Sequence, residues 1–314
     1  MDLHQFGLRP LRIADRPFID SILCSKETML SAYAFVSHYI WHDIFHFHWG
    51  IIDDYLCLFA HYNDYIYMPI PPTSLSSPPR REDKGEGERF SKIMRKVFTI
   101  MELVNHNKAV SRIENIDERQ IGSFTSSGYD IRPGEPEYLY TREDLASLKG
   151  ELYKSKRAMC NNFEKHYRYR YEPFQASFVN GCIRLYDEWK REKGKKFDDP
   201  IYHALLEDSS RAHKQAVKHY TSLHVTGRVV RINEQVEGYI FGSERGGDIF
   251  YILMEITNPD IKGLAQFIFR EFCREMEGYT YINTLSDSGL ENLRKVKRSY
   301  RPCKIIPSYI AYQA

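Results

Sequence analysis

The order of apolar and polar positions is clearest in the second half of the chain. Residues Ser222 to Ile232 alternate, Asn233 to Gln235 interrupt them, and Val236 to Gly242 resume, which predicts a hairpin. After the Gly246-Gly247 turn, Ile249 to Ile256 is an almost unbroken apolar run with one acid, Glu255. Such a run predicts a central strand buried on both faces. Asn258-Pro259 closes it, and from Ile261 the positions Leu264, Ala265, Ile268 and Phe272 follow helical spacing as far as Gly278. A short strand from Tyr279 to Leu285, a helix from Ser288 to Tyr300 and a last strand around Ile305 to Tyr312 complete the half.

The first half carries the same order. Tyr55 to Ala60 and Tyr65 to Ile70 predict hairpin strands about the His61 to Asp64 turn, followed by a Pro-rich exit. Phe90, Ile93, Met94, Val97, Met101 and Val104 share one helical face. A strand near Val110 to Ile116, a short helix near Glu118 to Thr125 and a strand near Glu137 to Tyr140 follow. The step from Pro72 to Ile113 is 18 positions longer than the matching step from Pro259 to Ile282, and the Pro-, Ser- and charge-rich stretch 73–89 accounts for the excess as an inserted mobile loop. A duplicated α+β unit explains both halves, with domains expected at 1–145 and 146–314 and the site in the second.

Composition narrows the classes. The chain has 314 residues, enough for two domains, with ordinary apolar and charged fractions that disfavour disorder. Its formal charge of +2 is too small for a protein coating long nucleic acid, so any polyanion site must be local. Aromatic content is high at 14%, which supplies large contact areas whose hydroxyls need partners. The six cysteines are scattered with no C-x-x-C pair, and residues 1–12 lack the apolar segment of a signal peptide. No apolar stretch near them reaches the ~20 residues of a spanning helix. A reduced, cytoplasmic protein without a transmembrane segment is expected.

Two basic runs stand out. Between Lys149 and Tyr171, Lys149, Lys154, Lys156, Arg157, Lys165, Arg168 and Arg170 face only Glu151 and Glu164, and Tyr153, Phe163, Tyr167, Tyr169 and Tyr171 are interleaved. Such a mixture can meet phosphates while aromatic faces stack on bases. The second run, Arg294, Lys295, Lys297, Arg298, Arg301 and Lys304, contains no acid, and Arg294, Lys297 and Arg298 lie on one helical side as an anion-facing surface. The plain alternative for both is a solvated helix face. In the first half, His38, His42, His46 and His48 could share a helical face and ligate zinc. Without an H-E-x-x-H or a cysteine pair, and amid Ile40, Ile44, Phe45 and Phe47, they read instead as aromatic packing, and no metal is expected.

The stretches YLYTREDLASLKGELYKSKR from Tyr138 to Arg157, NNF at 161–163, Trp189, and INTLSDSGLENLRKVKRSYRP from Ile282 to Pro302 resemble the bacterial family that forms the C-terminal part of phosphatidylglycerol lysyltransferase. That resemblance implies two GNAT-like acyltransferase domains in tandem, each a mixed sheet flanked by helices. It further implies transfer of an aminoacyl group from aminoacyl-tRNA to an amine or hydroxyl, as in the similar Fem-type transferases. The acceptor would be a lipid headgroup, a peptide or a small molecule. Acyl-CoA as co-substrate is the alternative donor, with no other cofactor. The stretch 258–265 offers only Gly263 to cradle a pyrophosphate at the helix start. A non-catalytic binding module on the same fold is the third reading.

Acyl transfer needs an acceptor that loses a proton, a carbonyl held beside it, and a leaving oxygen or thiolate that gains one. Glu255, the lone acid of the buried run, has the burial that raises a carboxyl pKa and suits it to act as base; otherwise it is a structural carboxylate paired to Arg or Tyr. The resemblance places its strand beside the acceptor site and gives Asp287 and Asn283 a substrate-positioning role, with the N-cap of a helix near Ser288 as the other reading of Asp287. Tyr300 stands where GNAT enzymes often carry a tyrosine that protonates the leaving group, or else it packs its ring under the sheet. Lys297, Arg294, Lys154, Lys156, Arg157 and Trp189 are the expected substrate contacts.

Overall fold

A computed structural model describes residues 3–75, 86–106, 108–195 and 200–313. They form two units, Met1–Glu137 with Ile306–Ala314, and Tyr138–Ile305. The fold class is α+β, as expected. In the first unit β1 (Arg9–Pro10), α1 (Arg16–Leu23), α2 (Phe35–Tyr39) and α3 (His42–Phe45) lead into β2 (His48–Ile52), β3 (Tyr55–Tyr62), β4 (Tyr65–Tyr67) and β5 (Thr73–Ser74). The strands form one antiparallel sheet ordered β1-β2-β3-β4, with β5 also on β3. Helix α4 (Glu86–Asn105) covers it. Its Ile93, Met94, Val97 and Phe98 are fully buried with Cys57, Phe59 and Ile66 of the strands, each large apolar side chain contributing ~1.5–3 kcal/mol over exposure. Then come β6 (Arg112–Ile116), α5 (Ile121–Ser126) and β7 (Tyr129–Pro133). The inserted loop expected over 73–89 falls mainly on 76–85, outside the described residues.

The second unit opens with β8 (Glu137–Thr141), α6 (Arg142–Ser147), α7 (Lys154–His166) and β9 (Tyr169–Pro173), and continues with α8 (Val179–Gly194) and α9 (Pro200–Lys218). The predicted hairpin follows as β10 (Thr226–Ile232) and β11 (Gln235–Glu244), then β12 (Ile249–Thr257), α10 (Leu264–Glu275), β13 (Tyr281–Ser286), α11 (Glu291–Ser299) and β14 (Lys304–Ile306); β15 (Tyr309–Gln313) ends the chain. Seven strands are ordered β14-β8-β13-β12-β11-β10-β9. Leu264, Phe267, Ile268 and Phe272 of α10 pack into one core with Val230, Ile240 and Phe250 of the sheet.

The chain ends of the two halves are exchanged. Strand β15 lies between β6 and β7 in a sheet of the first unit, antiparallel to both, and β8 lies between β13 and β14 in the second. Each strand-helix-strand (β6-α5-β7, β13-α11-β14) is thus completed by a strand from the other half of the sequence. The units therefore differ from the expected 1–145 and 146–314. Tyr138, Leu139 and Tyr140 are buried and start the second unit, and Pro307-Ser308 breaks the single last strand expected over 305–312 into β14 and β15. Among the described residues no helix is long and apolar enough to cross a membrane. Truncation after Ile306 removes β15, the middle strand between β6 and β7, and leaves β14 intact; hydrogen exchange is expected to lose protection at Arg112–Ile116 and Tyr129–Pro133 while β10–β12 stay protected.

Candidate active site

The site begins with one extra residue in β12. Ile240 opposes Glu255 and Phe241 opposes Met254, but Gly242 opposes Ile252, so Leu253 has no partner on β11. A bulge of this kind bends its strand and increases the local twist. Gly242 is needed opposite it, because a Cβ there would stand 2.2 Å from Phe250 Cε1. On the other side β12 runs parallel to β13 only over Ile249–Tyr251, opposite Tyr281–Asn283. Beyond Tyr251 the two parallel strands part, and the fork opens where the bulge lies.

Glu255 stands on this fork, on the same face as its partner Ile240 and so on the side covered by α10. Burial pushes its carboxyl up to about 8, with the Lys297 ammonium working in the opposite direction. The residue nevertheless keeps partial access to solvent. Among the described residues no arginine or tyrosine is hydrogen-bonded to it, so the structural-pair reading finds no partner there. Lys297 Nζ donates to the Thr284 carbonyl and, at 3.2 Å, to that of Leu285, the last turns of β13. Tyr300 is buried, its ring 4.8 Å from Phe269 and 4.1 Å beneath Lys156 Nζ. Burial, with the Glu255 charge second, holds its hydroxyl well above the usual range, so it stays protonated at neutral pH. Glu255, Lys297 and Tyr300 are thus brought together, and Lys156 joins them through Tyr300.

A second cluster stands behind them. Asp287 is fully buried and accepts from Tyr138 OH at 2.5 Å, Arg294 Nε at 3.0 Å and the Gly289 amide at 3.0 Å. Burial alone would raise its carboxyl; the Arg294 and Tyr138 hydrogen bonds outweigh this and hold it below the usual range. Asn283, also fully buried, accepts the Leu285 amide at 2.7 Å and shapes the turn that leaves β13 with Leu285 at φ 64°. The helix expected from Ser288 begins at Glu291 with Leu290 as its cap, so Asp287 caps the preceding turn and not the helix. Tyr138 and Tyr140, two apart on β8 and hence on one face, hold this region: Tyr140 OH donates to the Lys297 carbonyl at 2.9 Å. Neither was singled out from the sequence, although Y-x-Y in the resembling stretch carried the signal.

Other expected residues are used differently. Gly263 has φ 91°, and a Cβ on it would meet the Met159 carbonyl of α7 at 2.1 Å, so close packing requires the glycine. Arg157 donates to the Leu148 carbonyl and, at 2.6 Å, to that of Gly150, closing the turn after α6. Lys154 is exposed and 3.5 Å from Glu151. Trp189 packs on Tyr186, whose neighbour His213 bonds Tyr239 on the opposite face of the sheet from Ile240, so it does not join the cluster. The aromatic faces between Lys149 and Tyr171 are not free for bases: Phe163 lies 4.7 Å from Phe267, 5.0 Å from Tyr169 and 5.4 Å from Tyr167, and Tyr153 is buried. Nor do Arg294, Lys297 and Arg298 form one anion-facing surface, because Asp287 and the β13 carbonyls engage the first two.

In the first unit, parallel pairing among the described residues is reduced to a single bridge. The parallel bridge Met68–Ile113 is followed by Pro69 to Pro72, and Asn115 Nδ2 donates to the Pro69 carbonyl at 2.9 Å. The histidine string does not share a helical face, because α2 and α3 are separate short helices and His46 ends the second at φ 37°. His38 bonds the Ala32 carbonyl at 2.6 Å and burial pushes it down to about 4, while His42 stacks on Tyr39. A cavity of about 580 Å³ at the β9–β10 edge is lined by Arg231 and Glu172, paired at 2.6 Å, and includes none of the clustered residues.

A mixed sheet with a bulged central strand, parting from its parallel neighbour beside the helix that follows it, is the GNAT-like acyltransferase fold. The chain belongs to the family described as phosphatidylglycerol lysyltransferase, C-terminal, whose model matches residues 85–312. Its fold is similar to that of a conserved protein of unknown function from Bacteroides thetaiotaomicron, with TM-score 0.82 and 22% identity over 98% of this chain and 99% of that one. It is also similar to L-PGS from Bacillus licheniformis (TM-score 0.61, 17% identity, 95% and 92% covered) and to FemX (TM-score 0.59, 8% identity, 98% and 97% covered). No curated protein matches the sequence.

Two outcomes are expected from these clusters. Asp287→Ala leaves Tyr138 OH and Arg294 without their acceptor and should lower unfolding free energy by about 2–4 kcal/mol in denaturant titrations. Glu255 titrates higher in the folded chain than in the unfolded one, so the stability it confers is complete below about pH 4.5 and is lost as pH rises toward about 8. Between those limits Glu255→Gln should flatten the pH dependence of stability by at most about 1.4 kcal/mol per pH unit.

Proposed function

We propose that the second unit transfers an aminoacyl group from aminoacyl-tRNA to an amine or hydroxyl acceptor, with Glu255 as general base. The observation that carries this reading is geometric: the lone acid of β12 stands where the strand is bulged and has parted from β13, buried enough to push its carboxyl up yet still in reach of solvent. Family membership and the likeness in fold to L-PGS and FemX support the same reaction class. In its ionised form Glu255 takes the proton of the acceptor N–H or O–H as that atom attacks the ester carbonyl. The Lys297 ammonium stands close enough to influence the Glu255 charge, and it would stabilise the oxyanion that develops there. Collapse breaks the ester C–O bond, and the leaving ribose oxygen takes a proton from Tyr300 or from the newly protonated Glu255. Asp287, through Arg294 and the turn that follows β13, keeps α11 and hence Lys297 in place.

Exposed Lys149, Lys154, Lys165, Arg168 and Arg170 are suited to tRNA phosphates, whereas Lys156 lies over Tyr300 and Arg157 is engaged by backbone. A lipid headgroup, a peptide and a small molecule all remain acceptors that the fork could serve. An acyl-CoA donor is the second reading, favoured by the fold class; against it stands Gly263, packed on the Met159 carbonyl before the main helix. Salt-sensitive binding of charged tRNA together with loss of transfer in Glu255→Gln by about 10²–10⁴-fold in kcat/KM is the expected result. Because the base form is the deprotonated one, kcat/KM should rise with pH to a limb near about 8. Lys297→Met removes the opposing cation and should move that limb to higher pH. Thermal stabilisation by acetyl-CoA without tRNA binding would favour the second reading. Full activity in Glu255→Gln would remove the role of the carboxylate.

A further inference from the structure

Trp41, Phe45, Tyr62, Tyr65 and Tyr67 form one aromatic surface in the first unit. Tyr62 opposes Tyr65 and Ala60 opposes Tyr67 across β3 and β4, so the three tyrosines share one face of the hairpin, turned away from Ile66, which enters the core with α4. Phe45 of α3 reaches this face, 5.3 Å from Tyr62 and 6.3 Å from Tyr67, and Trp41, one helical turn before it, lies 6.2 Å from Phe45. Tyr62 meets Tyr65 at 78° and Phe45 meets Tyr67 at 86°, so these rings stand as ridges with furrows between them. Tyr67 is buried, while Trp41, Phe45, Tyr62 and Tyr65 are half-buried. Among the described residues, nothing accepts from the Trp41 indole N–H or from the Tyr62 and Tyr65 hydroxyls. Charge at the surface is negative. Arg112, 4.2 Å over the Tyr67 ring, is neutralised by Glu114 at 2.6 Å, whereas Asp43, two residues before Phe45, and Asp64, in the turn between Tyr62 and Tyr65, are exposed and form no ion pair among the described residues.

We propose that this surface docks a proline-rich segment of a partner protein in the polyproline II conformation, with Lys or Arg at its flank. Such a segment has no internal hydrogen bonds, so its carbonyls need donors, and the indole N–H and tyrosine hydroxyls supply them. Its prolyl rings fit furrows between aromatic side chains. The two unpaired aspartates select a cationic flank and oppose a nucleic acid, whose phosphates call for Lys and Arg. A sugar ring would stack on an aromatic face lying flat, and the edge-on pairs offer none. The docking does not depend on the transfer reaction, so the two can fail separately.

Titration of the full chain into a labelled oligoproline of about ten residues with arginines at one end, followed by fluorescence anisotropy, tests it. Binding should be saturable and at least about tenfold tighter than to a glycine-serine peptide with the same arginines. It should also be at least about fivefold tighter than to the oligoproline carrying glutamates instead, with the difference reduced by salt. Tyr62→Phe with Tyr65→Phe keeps the rings and removes two donors; this pair should weaken binding at least about threefold at an unchanged unfolding midpoint. Asp43→Asn with Asp64→Asn should abolish the preference for arginine over glutamate. Absence of saturable binding overturns the proposal, as does equal binding of the glycine-serine peptide or wild-type behaviour of both pair variants. Binding of cellohexaose that weakens in the tyrosine pair variant, with no binding of oligoproline, assigns the surface to a glycan and equally overturns it.

Discussion

Everything at the candidate site depends on where β12 stops pairing with β13. An unpaired Leu253 on one side and the end of parallel pairing at Tyr251 on the other leave the carboxyl-terminal part of β12 bonded only to β11. A continuous ladder would have sealed Glu255 between strands, where a charge is untenable without a partner. The fork keeps the residue within dense protein, which raises its pKa, yet in reach of solvent and of a substrate. The first unit has, among the described residues, only a single parallel bridge, Met68–Ile113, and there the Asn115 amide bonds the Pro69 carbonyl.

The second constraint is the support of α11. Most helices on a sheet are held by apolar burial; this one is held by a buried carboxylate, two strand tyrosines and lysine-to-carbonyl bonds. Such polar tethers are directional and fix Lys297 within electrostatic reach of Glu255 in a way that greasy packing would not. Because the tyrosines come from β8, the support reaches across 149 residues of sequence from Tyr138 to Asp287.

Much of this was legible in the chain. The hairpin β10–β11, the apolar run of β12, α10 and α4 follow directly from periodicity, and Glu255 was visible as the one acid in an apolar strand. Strands β7 and β9 were not found because YDIRP and YRYEP lie half-exposed with charges alternating among aromatics, a pattern shared with loops. The exchange of β8 and β15 was illegible because partner choice between strands is a tertiary matter that leaves no mark on period. The basic-aromatic junction misled for a physical reason: its tyrosines alternate with charges on helix and strand, so one face enters the core against Phe267 while the charges face water. Basic side chains spaced for a shared anion were instead neutralised within the unit by Asp287 and backbone carbonyls.

The central claim is that the strand fork gives Glu255 a proton affinity suited to base chemistry. An NMR titration of the glutamate side-chain carboxyls, with the Glu255 signal assigned by its loss in Glu255→Gln, reads this without any substrate. The account predicts a midpoint near about 8, moving higher in Lys297→Met. A midpoint in the ordinary glutamate range near about 4.3 would contradict it.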